Sequence, residues 1–246
     1  MKILVCISKA PDTTAKIAFK DNDTKFNEDN VQYIVNPYDE WYALVRALEL
    51  KETLGGNVTI INVGAADNDA ILRKALAIGA DDAVRIDAEP TDAFFVAEQI
   101  AAHAQSAGYD LIFTGKETIN YNGASIGAML AELLNMPFVS LTTKLDVAGN
   151  VVTLEHDIDG GTEVVECSTP FVISANKGLA EARIPNMRGI MAARTKPLNV
   201  VAATGNNALT SVKKYTLAAG KADCKYIDAE KPEELIDLLH NVAKVI

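Results

Sequence analysis

The feature that most constrains this chain is a repeated exchange of two periodicities over its first 134 residues. Residues 2–7, 57–63, 83–86 and 110–114 are short, apolar and rich in β-branched side chains, as strands covered by helices on both faces must be. Between them, apolar residues recur every three or four positions. Residues 40–54 place Leu44, Val45 and Leu48 on one side and stop at Gly55-Gly56. Residues 67–78 do the same with Ile71, Leu72, Ala75 and Leu76 and stop at Gly79, and residues 92–107 use Phe95, Val96, Ile100 and Ala104. After a loop, residues 123–134 carry Ile126, Met129, Leu130, Leu133 and Leu134, a stripe with helical spacing. Strands separated by helices of about a dozen residues predict parallel βαβ units, and hence an α/β fold with a doubly wound, mostly parallel sheet.

The pattern then changes. Residues 151–155 and 163–167 read as two strands joined across Asp159-Gly160-Gly161, a hairpin, and residues 171–174 as a further buried strand. Periodicity is weak beyond Asn176 until residues 232–245, where Leu235, Leu238, Leu239 and Val242 form an amphipathic stripe behind Pro232. The span of roughly 190–230 has no element long enough to build its own core, and so long a loop is unusual inside a compact domain. It reads as an extended arm lying on another protein. The expectation is a nucleotide-binding α/β domain over residues 1–190, with an arm and terminal helix over 191–246.

Charge sharpens this picture. The chain holds 23 Lys and Arg against 33 Asp and Glu, a formal charge of −10, which argues against nucleic acid as the main partner. Residues 183–214 nevertheless contain six basic residues (Arg183, Arg188, Arg194, Lys196, Lys213, Lys214) and no acidic one, leaving 17 basic against 33 acidic residues elsewhere. Hydrophobic residues at 49% allow a sizeable core, yet no run approaches the roughly 20 apolar residues of a membrane helix. Residues 3–7 are too short for a signal-peptide core and lack a small-residue cleavage site after them. Three widely separated cysteines (Cys6, Cys167, Cys224) give neither a disulfide framework nor a zinc pattern, so a reduced, cytoplasmic protein is expected.

A doubly wound sheet binds ligands at the carboxyl ends of its strands. Three loops fall there: residues 8–14, residues 64–66, and residues 115–125 leading into the helix at Gly123. The third has small residues that leave the first amides of its helix open to an anion, with the Ser125 hydroxyl as an added donor. Asn122 or Ser125 acting merely as helix caps is the plainer alternative. No GxGxxG or GxxxxGK[ST] motif occurs. Asn36-Pro37-Tyr38-Asp39 is a second candidate site, or simply the entry to the helix that follows. Catalytic groups are sparse. His103, His156 and His240 have no nucleophile beside them in sequence, Cys6 lies within a buried strand, and Asp157 and Asp159 fit turn carboxylates better than a metal pair.

Several of these segments, in this order, resemble the β subunit of electron transfer flavoprotein. They are Lys9-Ala10-Pro11-Asp12 after the first strand, Asn36-Pro37, residues 75–82 (ALAIGADD), and Gly115-Lys116-Glu117-Thr118-Ile119 with Gly127. Asp157-Ile158-Asp159-Gly160-Gly161-Thr162-Glu163 with Pro170 resembles the family signature, and Ile184-Pro185-Asn186 ahead of the basic stretch completes the series. The resemblance covers essentially the whole chain. It implies an adenine nucleotide alpha hydrolase-like fold, a heterodimer with an α subunit that carries most of the FAD, and an electron carrier without catalytic residues of its own. It implies an AMP site at Cys6, Asn36, Pro37, Tyr38, Asp39, Val63, Asn120, Tyr121, Asn122, Gly123, Ala124, Ser125, Ile126, Gly127 and Ala128, with Thr13 near the flavin. Ile184 would anchor the loop, with Pro185 and Asn186, that docks acyl-CoA-type dehydrogenases; a quinone oxidoreductase would receive the electrons. Two departures stand out: Asn120-Tyr121-Asn122 replaces a carboxylate-rich run, and His156 stands where a stronger base often precedes the signature. A bifurcating subunit with its own FAD, or a stand-alone adenine-nucleotide-binding regulator, are the alternatives.

Overall fold

The computed structural model describes residues 1–149, 151–205, 208–221 and 223–246. The elements in chain order are β1 (Lys2–Cys6), β2 (Lys9–Pro11), β3 (Phe19–Lys20), β4 (Lys25–Phe26), β5 (Tyr33–Val35), α1 (Asp39–Leu54) and β6 (Asn57–Val63). A 3-10 turn (Ala66–Asn68) leads into α2 (Asp69–Ile78), followed by β7 (Asp82–Asp87), α3 (Ala93–Ala107), β8 (Leu111–Gly115) and α4 (Ile126–Leu134). Then come β9 (Phe138–Ala148), β10 (Val151–Ile158), β11 (Gly161–Ser168), β12 (Phe171–Ala175), α5 (Met187–Ala193), β13 (Leu198–Ala202) and α6 (Pro232–Asp237), which runs into a π turn (Leu238–Ala243). They fall into two compact units, one of residues 1–16 and 27–213, the other of residues 17–26 and 214–246.

The larger unit is built on a sheet of order β11-β10-β9-β12-β8-β1-β6-β7-β13. All its pairings from β9 to β13 are parallel, and β10 and β11 add an antiparallel hairpin. Period-two alternation within continuously apolar strands sorts the core into two layers. Ile3 and Val5 of β1, Ile60 of β6 and Phe113 of β8 pack with Leu44 and Leu48 of α1 and Leu72 and Leu76 of α2. Leu4 and Cys6, Ile61, and Ile112 of the same strands face the other way, onto Phe95 and Ile100 of α3 and Leu130 of α4. This is the doubly wound α/β sheet expected from the sequence. Strand order reverses at β1: β6 and β7 follow on one side, β8 lies on the other, and the carboxyl ends of β1 and β8 therefore diverge into a crevice.

Several elements depart from the sequence reading. The helix expected from 123 begins at Ile126, because Asn122 and Ala124 both take φ of 48°, outside the right-handed helical basin. β9 and β13 are strands that the periodicity did not announce. β13 lies beside β7 at the edge of the sheet, and the Ala83 amide donates to the Pro197 carbonyl at 3.0 Å. The expected boundary at 190/191 thus falls inside α5, and the chain stays with the larger unit to Lys213. Of the expected arm, residues 206, 207 and 222 lie outside the described residues.

In the smaller unit, β3 and β4 form a short antiparallel ladder. Tyr215 joins it by stacking on Phe19 (ring centroids 4.9 Å apart) and by donating its amide to the Asp23 carbonyl at 2.7 Å. Neither α6 nor the π turn buries a residue, and Ile236, Val242, Val245 and Ile246 are all exposed. No helix is long and apolar enough to cross a membrane among the described residues.

Candidate functional site

Three chain segments meet at the crevice, and each is held there by its own chemistry. The first is the entry to α1. Asn36 is fully buried, yet it does not cap the helix. Its Nδ2 donates to the Glu117 carbonyl and its Oδ1 accepts from the Ile119 amide, both at 3.0 Å, so one amide side chain satisfies two backbone groups of the loop after β8. Glu40, in the first turn of α1, accepts from the Ser8 amide at 2.8 Å and the Ser8 hydroxyl at 2.7 Å, fixing the loop after β1. The second segment follows β8. Gly115 lies against α1 so closely that a Cβ there would meet Glu40 Cγ at 2.8 Å and the Asp39 side chain at 3.2 Å. The third follows β12, which pairs in register with β8 (Ala175 beside Gly115), so that Asn176 and Lys177 emerge next to Lys116.

Together these segments enclose a cavity of about 240 Å³ lined by Pro37, Tyr38, Asp39, Lys116, Glu117, Ile119, Asn122, Asn176 and Lys177. Burial holds the Asp39 carboxyl above its ordinary pKa, with the Lys116 ammonium pulling the other way. Burial also pushes Glu40 up to about 7, opposed by its two bonds from Ser8. Asn176 is steadied from outside by Asp157 of the β10–β11 hairpin, whose Oδ2 accepts from its Nδ2 at 2.8 Å. On the same hairpin, His156 Nε2 lies 3.1 Å from Glu163 Oε2, and its Nδ1 is buried without a partner among the described residues.

The loop after β8 continues through Asn122 into α4. Ser125 makes no side-chain cap, so the first amides of α4 are left to other acceptors. Gly127, in that first turn, packs against β8 and β9: a Cβ would sit 2.8 Å from Thr114 Oγ1 and 2.9 Å from the Phe138 ring.

The cavity thus gathers Pro37, Tyr38, Asp39 and Asn122 from the expected site, with Asn36 beneath it. Asn120, Tyr121, Gly123, Ala124 and Ser125 form the connection to α4, and Ile126, Gly127 and Ala128 its first turn. Cys6 and Val63 are not among the lining residues. They are packed at the ends of β1 and β6 in the layer beneath α3 and α4, and burial raises the Cys6 thiol. Thr13 is exposed on the loop after β2, in an Asx turn where Asp12 Oδ1 accepts from the Thr14 amide at 2.9 Å. Ile184 is 84% exposed, and Asn186 caps α5 by accepting from the Gly189 amide at 2.8 Å. Sequence reasoning overlooked Asn176 and Lys177. The available signal was their position directly after a buried strand, the place where the other two lining segments also begin. Among the described residues, no group of three or more His, Cys, Asp or Glu side chains has the arrangement of a metal site.

This crevice lies at a strand-order reversal of an α/β sheet, beside the start of α4 and with two lysines in its lining, which is where sheets of this class place their ligand sites. A model of the electron transfer flavoprotein domain matches residues 23–206. The electron transfer flavoprotein subunit beta of Bacillus subtilis (strain 168) is 32% identical over 261 aligned positions covering 100% of both chains. The protein of the same name from Syntrophomonas wolfei is 34% identical, covering 100% of this chain and 98% of its own. An acryloyl-CoA reductase electron transfer subunit gamma from Anaerotignum propionicum is 32% identical over 82% of this chain and 77% of its own. The chain belongs to the electron transfer flavoprotein β-subunit family.

Proposed function

We propose that this chain is the β subunit of a heterodimeric carrier that takes electrons from acyl-CoA-type flavin dehydrogenases and passes them to a quinone oxidoreductase of the respiratory chain. In this reading FAD lies mainly on the α subunit, and the crevice holds AMP. The observation that carries it is the crevice itself, at the reversal of strand order and joined to the uncapped start of α4.

The residues present fit a mononucleotide. Lys116 and Lys177 suit a phosphate, and the loop that lines the cavity runs on into the uncapped start of α4; Asn122 and Asn176 offer donors and acceptors; Pro37 and Ile119 supply apolar walls. The flavin, when bound, supplies the electron chemistry. This chain's residues hold, orient and shield. Glu40 and Asn36 fix the loops after β1 and β8, and Thr13 sits on the loop that would face the flavin. The exposed apolar side chains of α6 and the π turn suit burial against the α subunit. Three free cysteines, one of them buried, agree with a reducing cytoplasm.

The test is co-expression with the α subunit followed by a count of released cofactors. One flavin and one AMP per heterodimer support the reading. Two flavins would make it a bifurcating subunit with its own FAD, and a colourless, ATP-binding monomer would make it a stand-alone regulator.

A further inference from the structure

Ile184 is an exposed apolar side chain standing between two fixed neighbours. On one side Arg183 is held twice from α1. Its carbonyl accepts from the Trp41 indole Nε1 at 3.2 Å, and its guanidinium forks onto the Glu52 carboxylate at 2.6 and 3.1 Å. On the other side Pro185, with its φ locked by the ring, closes a cavity of about 170 Å³ lined by Ile34, Val35, Trp41, Lys74 and Ile78. Asn186 then caps α5, and α5 is itself seated. A Cβ on Gly189 would lie 2.3 Å from the Ala77 carbonyl, and Arg73 Nη1 donates to the Ala193 and Lys196 carbonyls at 2.7 Å each. Met187 (72% exposed) and Met191 (66%) of α5 are exposed apolar side chains as well.

An exposed isoleucine on a free loop loses its freedom when it enters a partner's pocket, and that loss weakens binding. Here the backbone on both sides of it is already immobilised. We infer that Trp41 and Glu52 are positioning residues for docking: by holding the Arg183 end of the loop to α1, they present Ile184 ready-made to an apolar pocket on the partner dehydrogenase. The inference rests on the reading of Ile184 as the docking anchor. Neither residue touches the partner in this account. Trp41 acts through its N–H bond and Glu52 through its fork, and both act on Arg183 rather than on the partner directly. A transient electron-transfer contact is small, so the order of one loop has a large share in its affinity.

The experiment uses the flavin-loaded heterodimer and measures its reduction by an acyl-CoA dehydrogenase with the carrier concentration varied. Ile184→Ala should raise the KM for the carrier about tenfold or more. Trp41→Phe, which keeps an aromatic ring but removes the N–H, and Glu52→Ala, a surface change that leaves the core intact, should each raise it about two- to tenfold. The rate at saturating carrier and the visible spectrum of the flavin should not change in these two variants. A positioning role also demands non-additivity: Trp41→Phe combined with Ile184→Ala should be no worse than Ile184→Ala alone. If Ile184→Ala raises KM while Trp41→Phe and Glu52→Ala do not, or if the paired effects simply add, the positioning role is overturned and the docking reading stands. If Ile184→Ala itself leaves KM unchanged, the docking reading falls and takes this inference with it.

Discussion

Replacing Glu40 with Gln isolates a charge that the fold holds under strain. The Glu40 carboxyl is buried, accepts from Ser8 alone among the described residues, and has Asp39 beside it and the Cys6 thiol nearby, while the Lys116 ammonium in the crevice pairs with Glu117 at 3.6 Å. Burial raises its pKa from 4.5 to about 7. Because the folded pKa lies above the unfolded one, the group's stabilisation is complete below pH 4.5 and is lost as the pH rises through about 7. The shift corresponds to about 3 kcal/mol between the two limits. Glu40→Gln removes that titration. The Gln Oε1 still accepts from the Ser8 amide, and its Nε2 donates to the Ser8 hydroxyl oxygen. Urea unfolding of the wild type and the variant from pH 4.5 to 8.5 should therefore give nearly equal stabilities at the acid end. At the alkaline end the variant should be the more stable by about 1–3 kcal/mol, with the change centred between pH 5 and 7.5. Parallel pH profiles would refute the reasoning, because they would mean that Glu40 titrates alike in the folded and unfolded chain.

Three further perturbations follow from the site. Asn36→Ala leaves the Glu117 carbonyl and the Ile119 amide without their partner; it should cost about 2–3 kcal/mol in denaturant unfolding and lower the amount of AMP retained by the purified complex. Gly127→Ala forces a Cβ to within 2.8 Å of Thr114 Oγ1 and should destabilise by about 1–3 kcal/mol, read as a lowered midpoint of thermal unfolding. Truncation after Lys213 removes no strand of the large sheet, so circular dichroism should keep its α/β signature while co-purification with the α subunit is lost. A truncated chain that pairs at full affinity would free residues 214–246 from that role.

Much of the fold was legible because its central strands are covered on both faces. β1, β6 and β8 are uninterrupted apolar runs, and α2 and α4 show the stripe that a helix needs to cover them. The elements that escaped notice are those whose environment is mixed. β9 carries Ser140, Thr142, Thr143, Lys144 and Asp146 and alternates irregularly, because β10 and β12 flank it with different coverage. β13 is a five-residue edge strand whose partner, β7, lies more than 100 residues earlier, and no local pattern reveals such a pairing. That pairing also moved residues 191–213 from the expected arm into the body, and with them Lys196, which donates to the Leu76 carbonyl at 3.0 Å at the end of α2.

The site was legible in outline and opaque in detail. Asn36-Pro37 and the loop after β8 were marked by position, yet the sequence left open whether Asn36 caps a helix or binds. It tethers the neighbouring loop, a contact across 81 to 83 residues that only folding creates. Lys177 and Asn176 were hidden for the same reason, since their place beside Lys116 depends on the register of β12 against β8.

The central claim is that this chain acts as an electron carrier only together with an α subunit and its flavin. The most direct measurement mixes the co-expressed complex anaerobically with a catalytic amount of acyl-CoA dehydrogenase and excess acyl-CoA while the visible flavin absorbance is followed. The complex should bleach rapidly and completely, and neither subunit alone should respond. A complex whose flavin stays oxidised, or an isolated β chain that accepts electrons unaided, would contradict the account.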